Sequence, residues 1–503
     1  MRFGQVLVRA VVFGVVCLGI VFAAILGNGN IVAPVAPVLA IALFAVIWAA
    51  PVRRSLYAIV FTGLALDNPA DGGINPHWHT PLAPIGGLLS ENLNKTVHIE
   101  ALKFSLLSVL LVLLFVIQRR QLSDAGRVAA RPAHSPVITA LGAAMLTVMA
   151  LAVYGLAGHA DVQMINLEVQ RFVLTALLAY LLAGELRGHR DYATLAGLII
   201  VAACSKAFLA LFNWANFEIP KDGGFATNHG DSMLFAFAVA TWAALCFIGP
   251  RSRRARVMTL LMPFILAAIK VNNRRLAWVE IIAMSITLYC LVPWSRGKRA
   301  LTRLAIFASP AVLVFILAGW NSGSEIFAPV KMLRSVVDGH SDRSTFDRDV
   351  ENFNLIMTIG SSPVLGTGLG RPYDEVIKGD DISGSFASYL YVPHNSVLWL
   401  LATGGVLGFL GIWSVPTAGM FVAARAFLRP ISIDNQIVAF IVMSVFQAYM
   451  IQCWGDMAFG DLRSLLLVGP ALAVASHLRG AADVPAVAVP AALAPEELCY
   501  VPG

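Results

Sequence analysis

The stretch YVPHNSVLWLLATGGVLGFLGIW, residues 391–413, holds the decision about the fold. A polar segment ends at His394-Asn395, and the chain passes at once into an apolar run carrying Gly404, Gly405, Gly408 and Gly411. Apolar runs of about 17–25 residues span a bilayer as helices, and such runs recur from near the first residue to Ala475. The 503-residue chain is 58% hydrophobic and only 13% charged, with mean hydropathy +0.76. Soluble domains carry roughly 25% charge. Composition therefore excludes that class and points to an all-α polytopic integral membrane protein.

About 14 transmembrane helices (12–14) are expected, centred near residues 16, 41, 60, 110, 147, 177, 202, 240, 264, 286, 312, 410, 444 and 470. The third, LYAIVFTGLAL, is the shortest. The N-terminal run is too long for a signal peptide and lacks a small-residue cleavage site, so it reads as a retained first helix. The net charge of +7 does not imply nucleic acid, because the basic residues sit in short clusters between apolar runs. With the N-terminus inside, Arg53-Arg54, Arg119-Arg120 with Arg127 and Arg131, Arg187 with Arg190, the Arg251–Arg256 and Arg296–Arg303 clusters, and Arg425 with Arg429 all fall on inner connections. These clusters and the termini hold 21 of the 36 Lys and Arg, as the positive-inside rule requires. Both termini are then cytoplasmic. The six cysteines are scattered, with Cys453 placed in an outer loop, so neither a disulfide framework nor a thiolate metal site is expected.

The organisation expected is a polytopic membrane domain over residues 1–478, a long outer loop within it over 321–395, and a disordered Pro- and Ala-rich tail over 479–503. A second long outer loop runs from about Asp67 to Glu100. In the longer loop, STFDRDVENFNLIMTIGSSP (344–363) has Phe346, Val350, Phe353 and Met357 at helical spacing. Arg348 lies off that stripe, with Glu351 and Asn352 following. VLGTGLGRP comes next, with glycines at 366, 368 and 370. Such a turn either brings backbone N–H groups to an anion or is a plain turn.

Cations also occur where the rule does not want them. Lys270, Arg274 and Arg275 in AAIKVNNRRLAWVE (267–280), with Lys206, crowd the outer side. Lys206 and Lys270 are explained by snorkelling; Arg274-Arg275 in so tight a hairpin invites an anionic partner. His394 is either an interfacial side chain satisfied by the backbone or a neutral imidazole able to remove a proton from a sugar hydroxyl. Gly404, Gly408 and Gly411 share one helix face, where another helix can pack closely.

Together these residues look like a family. HNSVLWLLATGGVLG resembles the signature of the O-antigen ligase and Wzy-type polymerase superfamily, with full matches at His394, Asn395, Gly405 and Gly408. NNRRLAW resembles its Ser-Arg-Gly-Ala element, which puts Arg275 on the arginine, Arg274 on the serine and Leu276 on the glycine. DRDVENFNLIMTIGSSPVLGTGLG resembles its arginine-bearing loop helix followed by Pro-Leu-x-Gly-x-Gly, which puts Arg348 on that arginine.

The resemblance covers residues 190–475 and implies a GT-C-like glycosyltransferase in the bacterial inner membrane. Its donor would be an undecaprenyl-pyrophosphate-linked glycan, used on the periplasmic face without a metal or other cofactor. It also implies site roles: His394, Arg275 and Arg348 catalytic, with Arg274, Lys206 and Asn395 contacting substrate. The acceptor is a lipid-linked chain in a polymerase, or lipid A core or a protein in a ligase, and a chain-length regulator is a conceivable partner. Phe409, where ligases show a small residue or Tyr, and the early loop favour an exopolysaccharide or O-antigen polymerase. A transporter or flippase of lipid-linked glycans is the alternative from another class. It would explain the many spans and cations but not a long outer loop bearing an amphipathic helix.

Overall fold

A computed structural model describes residues 32–66, 83–97, 99, 102–124, 135–216, 225–249, 252–294, 296–327, 330, 334, 343–379 and 388–478. Its helices are α1 (Val32–Ala49), α2 (Val52–Ala65), α3 (Ala83–Ser90), α4 (Leu93–Val97), α5 (Leu106–Asp124), α6 (Pro136–Ala157), α7 (Val162–Glu185) and α8 (His189–Asn216). They continue with α9 (Asp231–Ile248), α10 (Arg253–Asn272), α11 (Arg275–Leu291), α12 (Arg296–Gly319), α13 (Arg343–Ser361), α14 (Ser396–Leu428), α15 (Ile433–Gly455) and α16 (Leu462–His477). Every expected centre from residue 41 to residue 470 falls inside one of them. The expected span near residue 16, the tail after Leu478 and parts of both long loops lie outside the described residues.

The protein is an all-helical polytopic membrane protein. Among the described residues, nine helices are long and apolar enough to cross a membrane: α5 to α10, α12, α14 and α15. That is fewer than the fourteen expected, partly because some apolar runs form short helices. The 14 residues of α2 reach only about 21 Å at 1.5 Å per residue, against a hydrocarbon core of ~30 Å. Cys453 is not in a loop but buried within α15.

Contacts between connections fix which helix ends lie together. Arg53 pairs with Asp191 at 2.8 Å, and His477 Nε2 meets the Ala183 carbonyl at 2.7 Å. Both join connections expected on the inner side. The opposite end carries the segments around 158–161, 225–230, 273–274, 343–379, 388–395 and 455–461, and the candidate site is built there.

The glycines of 404–411 do two different things. A Cβ on Gly404 or Gly408 would stand 3.1 Å from Leu151 Cδ1 of α6, and one on Gly411 would overlap Thr147. That is the close helix packing expected. Gly405, by contrast, breaks the helix, with φ 56° and ψ −164°. The break frees backbone groups, and the 363–368 turn takes them up: Thr367 N donates to Ala402 O (2.9 Å) and Gly368 N to Thr403 O (2.8 Å), while Val406 N and Leu407 N donate to Pro363 O (2.9 Å) and Val364 O (3.2 Å). Gly366, at φ 69°, lies against the Thr403 carbonyl so closely that no Cβ fits. The N–H groups of Gly366, Leu369 and Gly370 go to Ser362 O, Leu151 O and Glu168 Oε2. All five amides from 366 to 370 are thus used within the protein. The turn is a clamp on α14, not a nest for an anion.

The stripe on α13 also differs from expectation. Phe346, Phe353 and Met357 are exposed, whereas Asn354, Leu355 and Thr358 are buried against the bundle. The exposed stripe continues through Val364 and Leu365 to Val406, Leu407 and Leu410, the outward side of α14. Apolar periodicity marks either a core face or a lipid face, and here it is not a core face.

Below the site, Arg463 Nε of α16 and Asp231 Oδ1 of α9 form a 3.2 Å ion pair with side chains 5% and 0% exposed. Removing one partner strands a buried charge, at a cost of about 3–5 kcal/mol. Asp231→Ala is therefore expected to lower the melting temperature in detergent sharply. Asp231→Leu combined with Arg463→Met should lose far less; equal losses would contradict an ion-pair role.

Candidate active site

The NNRR turn shows how the sequence builds this end. Asn273 takes the left-handed conformation (φ 50°) that closes α10, a role asparagine tolerates well. Buried Asn272 accepts hydrogen bonds from Thr227 N (2.9 Å) and Thr227 Oγ1 (3.1 Å), pinning the 225–230 segment alongside. The turn then directs Arg274 inward. It is 7% exposed, with its guanidinium carbon 3.1 Å from the centre of the Phe225 ring. Its Nε and Nη2 are buried without a hydrogen-bond partner among the described residues. Arg275 begins α11 and is exposed. Leu276, where the family motif has glycine, fits against Gly455, which has no Cβ to obstruct it.

Burial pushes the Arg274 guanidinium down to about 9; Asp456 opposes that shift, Arg348 adds to it and Asp231 opposes it. A buried guanidinium with spare donors is prepared for an anion. Arg348 of α13 reaches the same place, with Nη1 donating to the Gly455 carbonyl at 3.4 Å.

His394 sits at the entrance of α14, as its sequence position implied. Asn395 is the N-cap, its side-chain oxygen accepting from Leu398 N at 3.1 Å. Glu351, three residues after Arg348 on α13, holds the histidine twice. It accepts the His394 backbone N–H through Oε1 and faces Nδ1 through Oε2 at 3.1 Å. A carboxylate on Nδ1 fixes the proton there and leaves Nε2 as the acceptor. The imidazole is 31% exposed and the carboxylate 15%, so the ring is reachable and its anchor is not.

Residues that sequence reasoning did not single out complete the site. Asp456, which follows α15, is 6% exposed. Its Oδ2 lies 2.7 Å from His229 Nδ1, its Oδ1 accepts from Met457 N at 2.8 Å, and its carbonyl accepts from Ser396 Oγ at 3.1 Å. Burial alone would raise this carboxyl, but His229, the Met457 N–H and Arg348 together hold it well below the usual carboxylate range. Fully buried Glu280 of α11 lies in its electrostatic range. Behind the His394 turn, Arg171, Glu168, Trp399 and Phe459 line a narrow cleft.

The predicted residues therefore divide. Arg274, Arg348 and His394 are brought together around Gly455-Asp456, and Asn395 stands beside His394 as a helix cap. Arg275 is at the exposed rim. Lys206 is fully buried on α8, seven residues before Asn213, whose amide donates to Ala226 O at 2.9 Å. It does not snorkel, because α8 runs on to Asn216 and its neighbours enclose it.

A polytopic helical membrane protein with a histidine–carboxylate pair and inward-turned arginines at one end is the class that fold and site define. Residues 260–413 match a family model described as O-Antigen ligase. This segment carries Arg274, Arg275, Arg348 and His394, and the match supports the resemblance to the O-antigen ligase and Wzy-type superfamily. No curated protein matches the chain.

Proposed function

We propose that this protein is a membrane glycosyltransferase that transfers or polymerises an oligosaccharide carried on undecaprenyl pyrophosphate, at the periplasmic face of the inner membrane. The observation that carries this reading is the Glu351-held His394 beside the buried arginine cluster, with Arg348 and Glu351 on one turn of α13. The family match supports an enzyme of the O-antigen ligase or polymerase type.

In the reaction, His394 Nε2 takes the proton of the acceptor hydroxyl, and the oxygen attacks the anomeric carbon. The bond from that carbon to the phosphate oxygen breaks, and its electron pair leaves with the lipid pyrophosphate. Arg274 and Arg348 stabilise the charge that develops there. Arg275 meets the headgroup at the rim, Asn395 Nδ2 is available to a sugar hydroxyl, and Lys206 contributes positive potential from below. The exposed apolar stripe of α13 rests in the membrane interface, which holds Arg348 at headgroup depth.

Motif alignment alone would assign the larger role to Arg275. Burial reverses that order. Arg274→Ala is expected to lower donor consumption by roughly 10²–10³-fold, the scale of losing one preorganised donor, and Arg275→Ala by roughly tenfold. Purified variants supplied with lipid-linked donor test this; a larger loss for Arg275→Ala would contradict it.

A polymerase remains favoured over a ligase only by the early loop. Phe409 stacks on Trp413 at 5.3 Å and packs in the α6–α14 core, so it reflects packing rather than acceptor. A deletion strain decides: loss of long polymer with single repeats still at the surface marks a polymerase, and polymer accumulating on the lipid carrier marks a ligase.

A further inference from the structure

We infer that His229, held by Asp456, is a second catalytic residue, acting on the donor side of the transfer proposed above, on which this inference rests. The cluster holds two histidine–carboxylate pairs, and only His394–Glu351 has been given a role. His229 Nδ1 stands 2.7 Å from Asp456 Oδ2. The imidazole is 41% exposed and the carboxylate 9%, so a mobile-proton carrier faces outward from a fixed anchor. Its Nε2 has no hydrogen-bond partner among the described residues.

Its neighbours place it on the leaving-group side. The His229 ring packs on Phe225 with centroids 5.8 Å apart, and Arg274 lies over that same Phe225 ring. Asp456 interacts electrostatically with both Arg274 and Arg348. Asp231 and Asp461 lie beside the segment, and Glu280 faces Asp456 from α11. Asp456 alone would repel a pyrophosphate arriving between the arginines. A protonated His229 cancels that charge and offers Nε2–H to the departing oxygen.

The step balances. The acceptor proton goes to His394 Nε2, the anomeric carbon–oxygen bond breaks, and the phosphate oxygen that receives its electron pair takes the proton from His229 Nε2. Solvent then resets both imidazoles, so the net change is one proton moved from acceptor hydroxyl to leaving pyrophosphate.

The test uses full-length protein in detergent with a lipid-pyrophosphate-linked oligosaccharide, measuring kcat and KM across pH. Wild type should give a bell-shaped profile. His229→Gln should lower kcat roughly 10²-fold, raise donor KM because the Asp456 charge is left uncancelled, and flatten the alkaline limb, because no proton remains to be lost there. Asp456→Asn should lower kcat as well, as the imidazole loses the carboxylate that orients it. An unchanged kcat in His229→Gln, or a lowered kcat with the alkaline limb intact, overturns the role. If His229→Gln does not fold, an unchanged kcat in Asp456→Asn overturns it instead. A wild-type protein that consumes no donor removes the glycosyltransferase reading itself, and this inference with it.

Discussion

His394→Ala is expected to lower glycan transfer by roughly 10²–10⁴-fold, the range for losing a positioned general base, while protein level and melting temperature stay near wild type. The side chain is 31% exposed, and the α14 cap is made by Asn395 rather than by the imidazole. Little of the fold depends on it. Glu351→Gln should cost nearly as much for a different reason. Its amide oxygen can keep the His394 backbone N–H, but its NH₂ would donate to Nδ1, forcing the ring proton onto Nε2 and removing the acceptor. Rates for both purified variants check this. A fully active His394→Ala would end the role of the histidine.

Gly405→Val is expected to destabilise the protein by at least about 3 kcal/mol. A β-branched residue at φ 56° and ψ −164° carries strain of about 1–3 kcal/mol. Its Cβ would also overlap the Val364 carbonyl, and backbone on both sides cannot yield. The 363–368 clamp would come off α14, and α13 with Arg348 and Glu351 would lose its footing. Amide exchange should then rise at Thr367, Gly368, Val406 and Leu407, with activity lost in parallel. Gly408→Ala, which meets only a flexible Leu151 methyl at 3.1 Å, should cost about 1 kcal/mol. Similar effects for the two would mean that packing against α6, not the clamp, explains both glycines.

Much of this was legible in the sequence, for physical reasons that also mark its limits. Apolar runs locate the helices because a bilayer tolerates little else, and the helices contain the expected centres from α1 to α16. Candidate positions were legible where one element carries them, as at His394 on its helix threshold and Arg348 on α13. The order of Arg274 and Arg275 was not, because one left-handed residue, Asn273, decides which arginine turns in. Nor was the direction of the α13 stripe, since lipid and protein core reward the same periodicity. The clamp at Gly405 was hidden because a glycine that breaks a helix and one that lets helices touch look alike in sequence. His229 and Asp456 come from segments far apart in the chain, and each is an ordinary loop residue until the bundle brings them together.

The measurement that tests the central claim most directly is donor consumption by the purified protein in detergent, where movement across a membrane has no meaning. The account predicts that lipid-pyrophosphate-linked oligosaccharide is consumed, that lipid pyrophosphate is released as glycosidic product forms, and that His394→Ala abolishes both. A donor left intact in detergent, but carried across the bilayer when the same protein is placed in vesicles, would contradict it and make this chain a transporter.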